Sequence, residues 1–72
     1  MEKVNQLALV LAQATVEYYE ADTEFRKLAE EGVTESDSAY RSWRAATRAT
    51  YGAMVDAQNA LADAAREFAQ GL

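Results

Sequence analysis

The sequence predicts an all-α fold, an antiparallel two-helix hairpin of the coiled-coil type that pairs with a second copy into a four-helix bundle. The 72 residues contain no proline and only three glycines, a composition that favours long uninterrupted helices. Apolar or small residues recur at alternating spacings of three and four in both halves of the chain. A single core of this size supplies only roughly 3 to 5 kcal/mol, and without cysteines no disulfide can add to it. We therefore expect oligomerisation to supply the remaining stability.

The first predicted helix covers about residues 3–31. One stripe of apolar or small residues runs along it: Val4, Leu7, Leu11, Ala14, Tyr18, Ala21, Phe25 and Leu28. This unbroken alternation of three and four over four heptads is typical of a helix that packs along one partner helix. Gly32 follows directly, at the position where a left-handed residue ends many helices.

A turn at residues 32–35 leads to the second predicted helix, which covers about residues 36–70 and completes a single domain of residues 1–72. Thr34 and Asp37 have the spacing of a capping box, which predicts a helix start close to Glu35. The stripe of this helix consists of Tyr40, Trp43, Thr47, Thr50, Met54, Ala57, Leu61, Ala64 and Phe68. Gly71 marks its end.

The two stripes together form the predicted seam between antiparallel helices. Folding the chain back at the short turn pairs seam residues whose numbers add to 68, from Leu28 with Tyr40 at the turn to Val4 with Ala64 at the far end. Most of these layers set a large residue against a small one, as even packing of two helices requires. Phe25 opposite Trp43 is the bulkiest layer, and both side chains are predicted to be core.

More apolar surface is present than one seam can cover. The surplus side chains predicted to mediate self-association are Leu9, Ala12, Val16, Tyr19, Tyr51 and Val55. Exposed apolar stripes of this extent usually mark an interface, and pairing two hairpins covers them. We expect a homo-oligomer, with a dimer favoured.

Three arginines share one face of the second helix, because Arg41, Arg44 and Arg48 are three and four residues apart. Beside Tyr51 and Gly52 they form the candidate site for a partner or an anion, since guanidinium groups and aromatic rings bind phosphates and bases. The competing interpretation is a charged flank of the core. In that interpretation Arg41 pairs with Asp37 and Arg44 with Asp22 across the seam, which leaves Arg48 available to a partner.

No catalytic or metal site is predicted. The chain lacks histidine and cysteine, and no glycine-rich phosphate loop is present. The stretch EYYEADTE, residues 17–24, has an E-x-x-E spacing seen in carboxylate-bridged metal helices, but those sites also need Glu-x-x-His contributions. We expect no enzymatic activity, no cofactor and no bound metal.

Charge and hydropathy narrow the class of partner. The net charge of −5 disfavours nucleic acid, and the longest apolar run is far shorter than the ~20 residues that cross a bilayer. The first residues imitate a signal peptide, yet the apolar run is short and Glu2 offsets Lys3, so we expect a cytoplasmic protein.

The predicted function is a small soluble adaptor or inhibitor that self-associates and binds a protein partner. The alternative is an oligomer that binds a small anionic ligand, such as a nucleotide, at an arginine and aromatic subunit boundary.

Overall fold

The computed structural model describes residues 2–71 and confirms a hairpin of two helices. Helix α1 covers Glu2–Glu30 and helix α2 covers Ser38–Gln70, with 29 and 33 residues. They pack against each other along their length as a rod with extents of 54 × 14 × 14 Å. The first helix matches its predicted bounds to within a residue, whereas the second begins two residues later than predicted.

Helix α1 ends in the glycine cap that the sequence predicts. Gly32 has φ 80°, in the left-handed region that glycine adopts without steric cost. The amide of Gly32 donates to the carbonyl of Ala29 at 3.1 Å, and the amide of Val33 donates to that of Leu28 at 3.0 Å. These two bonds define a Schellman motif, which satisfies carbonyl groups that the last helical turn leaves unpaired.

Helix α2 starts from Asp37, so the predicted start close to Glu35 is wrong. The Asp37 carboxylate accepts a hydrogen bond from the amide of Ala39 at 2.8 Å, which is the geometry of a helix N-cap. The hydroxyl of Thr34, the predicted cap, instead bonds that of Ser36 at 2.8 Å. The amide of Asp37 donates to the carbonyl of Thr34, which turns the chain once more before the helix begins.

The seam between the helices is built on alanine. Among the described residues the buried ones are Ala14, Ala21, Ala57 and Ala64, and all four were predicted to be in the seam. The larger residue opposite each alanine in the predicted register is only half-buried: Met54, Thr47, Leu11 and Val4 respectively. No side chain larger than alanine is buried anywhere in residues 2–71.

Three contacts between the helices test the predicted register. The Phe25 and Tyr40 ring centroids are 4.9 Å apart, those of Tyr18 and Tyr51 are 5.4 Å apart, and Lys3 Nζ lies 3.6 Å from a carboxylate oxygen of Glu67. The residue numbers of these pairs add to 65, 69 and 70. They bracket the predicted value of 68 and confirm antiparallel packing from the turn to the far end.

Two large seam residues are more exposed than predicted. Trp43 is 37% exposed, so its assignment to the core is wrong, and the ring that lies against Phe25 belongs to Tyr40. Phe68 is 42% exposed because α2 is longer than α1 and residue 68 lies beyond the first residues of α1. Neither described helix combines the length and hydropathy that a bilayer-spanning segment requires.

Candidate interaction surface

The hairpin has two broad faces, and position relative to the seam determines which face a residue occupies. In an antiparallel pair, residues that directly follow seam positions lie on one face, and residues that directly precede them lie on the other. Two contacts mark these faces. Lys3 and Glu67 both precede seam residues and form an ion pair, whereas Tyr51 follows a seam residue and contacts Tyr18 beside Tyr19.

We call the first surface the aromatic face, defined by Ala12, Tyr19, Tyr51 and Val55. Tyr19 and Tyr51 are 62% and 51% exposed, Ala12 is exposed and Val55 is half-buried. The ring of Tyr18 lies between the two tyrosines, with its centroid 5.7 Å from Tyr19 and 5.4 Å from Tyr51. Four of the six predicted self-association residues, two from each helix, thus share this face near the middle of the hairpin.

Leu9 and Val16 occupy a different position from the other predicted self-association residues. They are 67% and 55% exposed, and each lies two residues after a seam residue. A heptad places such residues on the side of the helix opposite the seam. They therefore form an outer edge of α1, next to the aromatic face and directed away from α2.

The second surface is acidic. The described carboxylates that directly precede seam residues are Glu17, Glu20, Glu24, Asp56, Asp63 and Glu67, and two lysines lie among them. On the aromatic face the corresponding positions contain four arginines, Arg26, Arg41, Arg44 and Arg48, and one carboxylate, Asp22. This division of charge could be predicted from the sequence, but only by asking of each residue whether it directly precedes or directly follows a seam residue.

The three arginines of the candidate anion site do not converge on one point, because Arg41 and Arg44 have different partners and Arg48 has none among the described residues. A guanidinium nitrogen of Arg41 donates to the backbone carbonyls of Glu35 and Ser36 at 3.4 and 3.3 Å. The predicted pairing with the Asp37 carboxylate is replaced by these bonds, since that carboxylate caps α2. Arg41 therefore helps to hold the turn.

Arg44 pairs with Glu35 at 3.5 Å, so the predicted pairing with Asp22 is wrong. Asp22 instead accepts from Arg26, one turn further along α1, at 2.9 Å. The turn is longer than predicted and folds back over the start of α2, which brings Glu35 within reach of Arg44. Arg26 follows Asp22 by four residues, and this spacing makes the two side chains neighbours on the surface of one helix.

Arg48 and Gly52 remain accessible. Within residues 2–71 the side chain of Arg48 makes no hydrogen bond or ion pair, and it lies one turn before Tyr51. Gly52 is exposed, and a Cβ built on it would meet no atom within 4 Å. These two residues and Tyr51 are the part of the predicted partner site that the structure leaves open to solvent.

The acidic stretch of residues 17–24 is partly used for ion pairing. Besides the pair of Asp22 with Arg26, Glu24 lies 3.2 Å from Lys27. In the part of the chain that the structure describes, no three acidic side chains are grouped closely enough to hold a metal ion, and no pocket is found.

One exposed apolar residue was missed by the sequence analysis. Val10 is 50% exposed and precedes Leu11, so it lies on the acidic face, where it is separate from the other large apolar residues. Its position was readable from the same seam rule. Comparisons with protein-family models, with curated proteins and with solved structures found no match.

Proposed function

We propose that this protein is a non-enzymatic helical interaction protein, an adaptor or inhibitor, that self-associates into a dimeric four-helix bundle and binds another macromolecule. The observation that carries the proposal is the distribution of burial. Among the described residues only four alanines are buried, while Leu9, Val16 and both face tyrosines remain more than half exposed. An isolated hairpin leaves its largest apolar groups in water, and a second copy removes them from it.

The total surface supports the same conclusion. The accessible surface is 5227 Å², whereas a compact monomer of 7.9 kDa exposes about 4,400 Å². The radius of gyration is 16.2 Å, against about 11 Å for a globular domain of 72 residues. The excess follows from the rod shape, in which each helix has one neighbour instead of two or more.

One face of the rod is large enough for a stable dimer. Extents of 54 and 14 Å define a strip of roughly 750 Å², close to the ~800 Å² that each partner contributes to a standard interface. The aromatic face is the better candidate because it contains five charged residues, four arginines and one carboxylate, whereas the acidic face contains eight, six carboxylates and two lysines. Burying unpaired carboxylates carries a large desolvation penalty.

A dimer formed through the aromatic face leaves groups for a further partner. Leu9 and Val16 lie at the outer edge of α1, outside that interface. An exposed apolar edge on a helix fits the apolar stripe of an amphipathic helix from another protein. This is why we infer a protein partner.

Sedimentation equilibrium with two charge-matched variants tests self-association. Tyr19→Glu places a carboxylate in the aromatic face, and Val10→Glu places one at a similarly exposed apolar position on the acidic face. We expect the parent and Val10→Glu to sediment at about 16 kDa, twice the chain mass, and Tyr19→Glu to weaken association at least tenfold. A parent that remains monomeric at about 8 kDa, or equal weakening by both variants, contradicts the proposal.

The alternative, binding of a small anion such as a nucleotide, has narrower support. It rests on Arg48 beside Tyr51, because Arg41 and Arg44 are engaged by the turn. Calorimetric titration with ATP at two salt concentrations tests it. Salt-sensitive binding that Arg48→Ala removes would favour this function over protein binding.

A further inference from the structure

We infer that the second copy packs on the aromatic face in the antiparallel direction, so that the two turns lie at opposite ends of the dimer. The inference rests on the proposed function, because it assumes that the aromatic face self-associates. Two hairpins that share this face around a two-fold axis have two arrangements. In one the turns lie side by side, and in the other each turn lies near the chain ends of the other copy.

Side-chain size on α1 favours the antiparallel arrangement. A two-fold axis across the hairpin stacks each helix on its own copy, and it exchanges residues that lie equally far from the axis. An axis level with the midpoint between Ala12 and Tyr19 sets each Tyr19 against the small Ala12 of the other copy. That midpoint falls between residues 15 and 16.

The residues of α2 place the axis at the same level independently. The same exchange sets the large Tyr51 against the smaller Val55, with the midpoint at residue 53. Residue 53 lies opposite residue 15 of α1, since opposed residues have numbers that add to about 68, as the three contacts between the helices indicate. Both helices thus place a large residue on a smaller one around a single axis, as even interdigitation requires.

The parallel arrangement lacks this complementarity. There α1 packs on α2 of the other copy at the same level, so Tyr19 meets Tyr51 and Ala12 meets Val55. Large residues then face each other at one level and smaller ones at the next, which prevents a constant helix separation.

Charge at the turn end favours the same choice. Four arginines lie there, and two of them are paired with carboxylates, Arg26 with Asp22 and Arg44 with Glu35. Arg41 is held by carbonyl groups and Arg48 has no partner among the described residues, so the aromatic face has two arginines at this end that no carboxylate pairs. The parallel arrangement brings two such ends together, and like charges across an interface oppose binding.

The antiparallel arrangement separates these charges. Arg48 is about five residues from the axis level and Arg41 about twelve, which at 1.5 Å per residue gives separations of about 15 to 35 Å between equivalent arginines. These distances exceed the Debye length of about 8 Å at physiological salt. Each arginine end then lies over alanine-rich positions of the other copy, Ala62 and Ala65, where long side chains have space.

Packing of the aromatic face on the acidic face of another copy is a third arrangement. It would pair arginines with carboxylates, but it also removes water from Glu17, Glu20 and Asp56, which have no ion-pair partner among the described residues. Such a head-to-tail contact produces rings or filaments in place of a two-fold dimer. We therefore favour the closed dimer.

Two spin-labelled variants of the full chain test the direction. The protein has no cysteine, so Thr34→Cys and Gly52→Cys each provide one labelling site, at the turn and near the axis. Both positions are exposed, and a side chain at residue 52 meets no neighbour. Dipolar spectroscopy should give about 55 Å between Thr34→Cys labels, because each turn lies about 19 residues from the axis.

The label at residue 52 separates failure of the direction from failure of self-association. We expect a distance below about 30 Å there, since the axis passes within about two residues of that level and helices pack ~10 Å apart. A short distance at residue 52 with a Thr34→Cys distance below about 30 Å would show the parallel arrangement and overturn the inference. No dipolar signal at residue 52, with a monomer in sedimentation, overturns both this inference and the proposed function. Assemblies that grow beyond the dimer with concentration would show the third arrangement and likewise overturn it.

Discussion

The ring of Phe25 in α1 lies edge-on against the ring of Tyr40 in α2, with 4.9 Å between their centroids. Edge-to-face pairs at this distance add about 0.5 to 1.5 kcal/mol beyond the burial of apolar area. This contact joins the two helices next to the turn. Because no described side chain larger than alanine is buried, such half-buried layers supply most of the contact between the helices.

Phe25→Ala should lower the free energy of unfolding by about 2 kcal/mol. A fully buried phenylalanine costs roughly 3 to 5 kcal/mol on truncation, and Phe25 is only half-buried. Phe68→Ala is the matched control, because Phe68 is exposed beyond the start of α1 and should cost less than about 0.5 kcal/mol. Urea denaturation at one fixed protein concentration measures both, and equal losses would show that Phe25 contributes no more than a surface residue.

The seam was predictable from sequence because it depends on spacing alone. Alternation of three and four identified the stripes that contain all four buried alanines, and Gly32 marked the end of α1. The register followed from a short turn and from matching large residues with small ones. These features depend on backbone geometry, which local sequence determines strongly.

Features that depend on long side chains near the turn were not predictable. The spacing of Thr34 and Asp37 predicts one capping box that starts at Thr34, whereas in the folded turn Asp37 is the N-cap. This cap lengthened the turn, moved Glu35 toward Arg44, and changed the arginine pairing. Trp43 is exposed because the ring of Tyr40, and not its indole, lies against Phe25.

Separate replacement of Asp37 and Thr34 tests which of the two residues caps the start of α2. Asp37→Ala should cost about 1 kcal/mol, because the amide of Ala39 loses its acceptor. Thr34→Ala removes only a hydroxyl pair exposed to solvent and should change stability by less than about 0.5 kcal/mol. Thermal melts followed by circular dichroism compare the two variants. A larger loss of stability for Thr34→Ala would show that Thr34 caps α2 and that the helix starts close to Glu35.

Two glycines should respond in opposite ways to alanine. Gly52→Ala should stabilise the protein by up to about 1 kcal/mol, because residue 52 is helical and exposed and the added methyl group meets nothing. Gly32→Ala should destabilise it by about 1 kcal/mol, because φ at this residue is 80°. Denaturation gives both values. Sedimentation of Gly52→Ala adds a second readout, since weaker association would mean that another copy approaches the backbone at residue 52.

The arginines of the aromatic face should separate into one that supports the turn end and one that has no partner within the hairpin. Arg44→Ala and Glu35→Ala should each cost less than about 1 kcal/mol, and the double variant should cost no more than either alone, because an exposed pair contributes about 0 to 1 kcal/mol. Arg48→Ala should leave the melting curve unchanged, since its guanidinium has no partner within residues 2–71. If the protein partner binds the aromatic face in place of the second copy, calorimetric titration should show weaker binding for Arg48→Ala and parent-like binding for Arg44→Ala. If Arg44→Ala loses affinity at unchanged stability while Arg48→Ala binds normally, the contact with the partner lies at the turn, and the Arg44–Glu35 pair must open before binding.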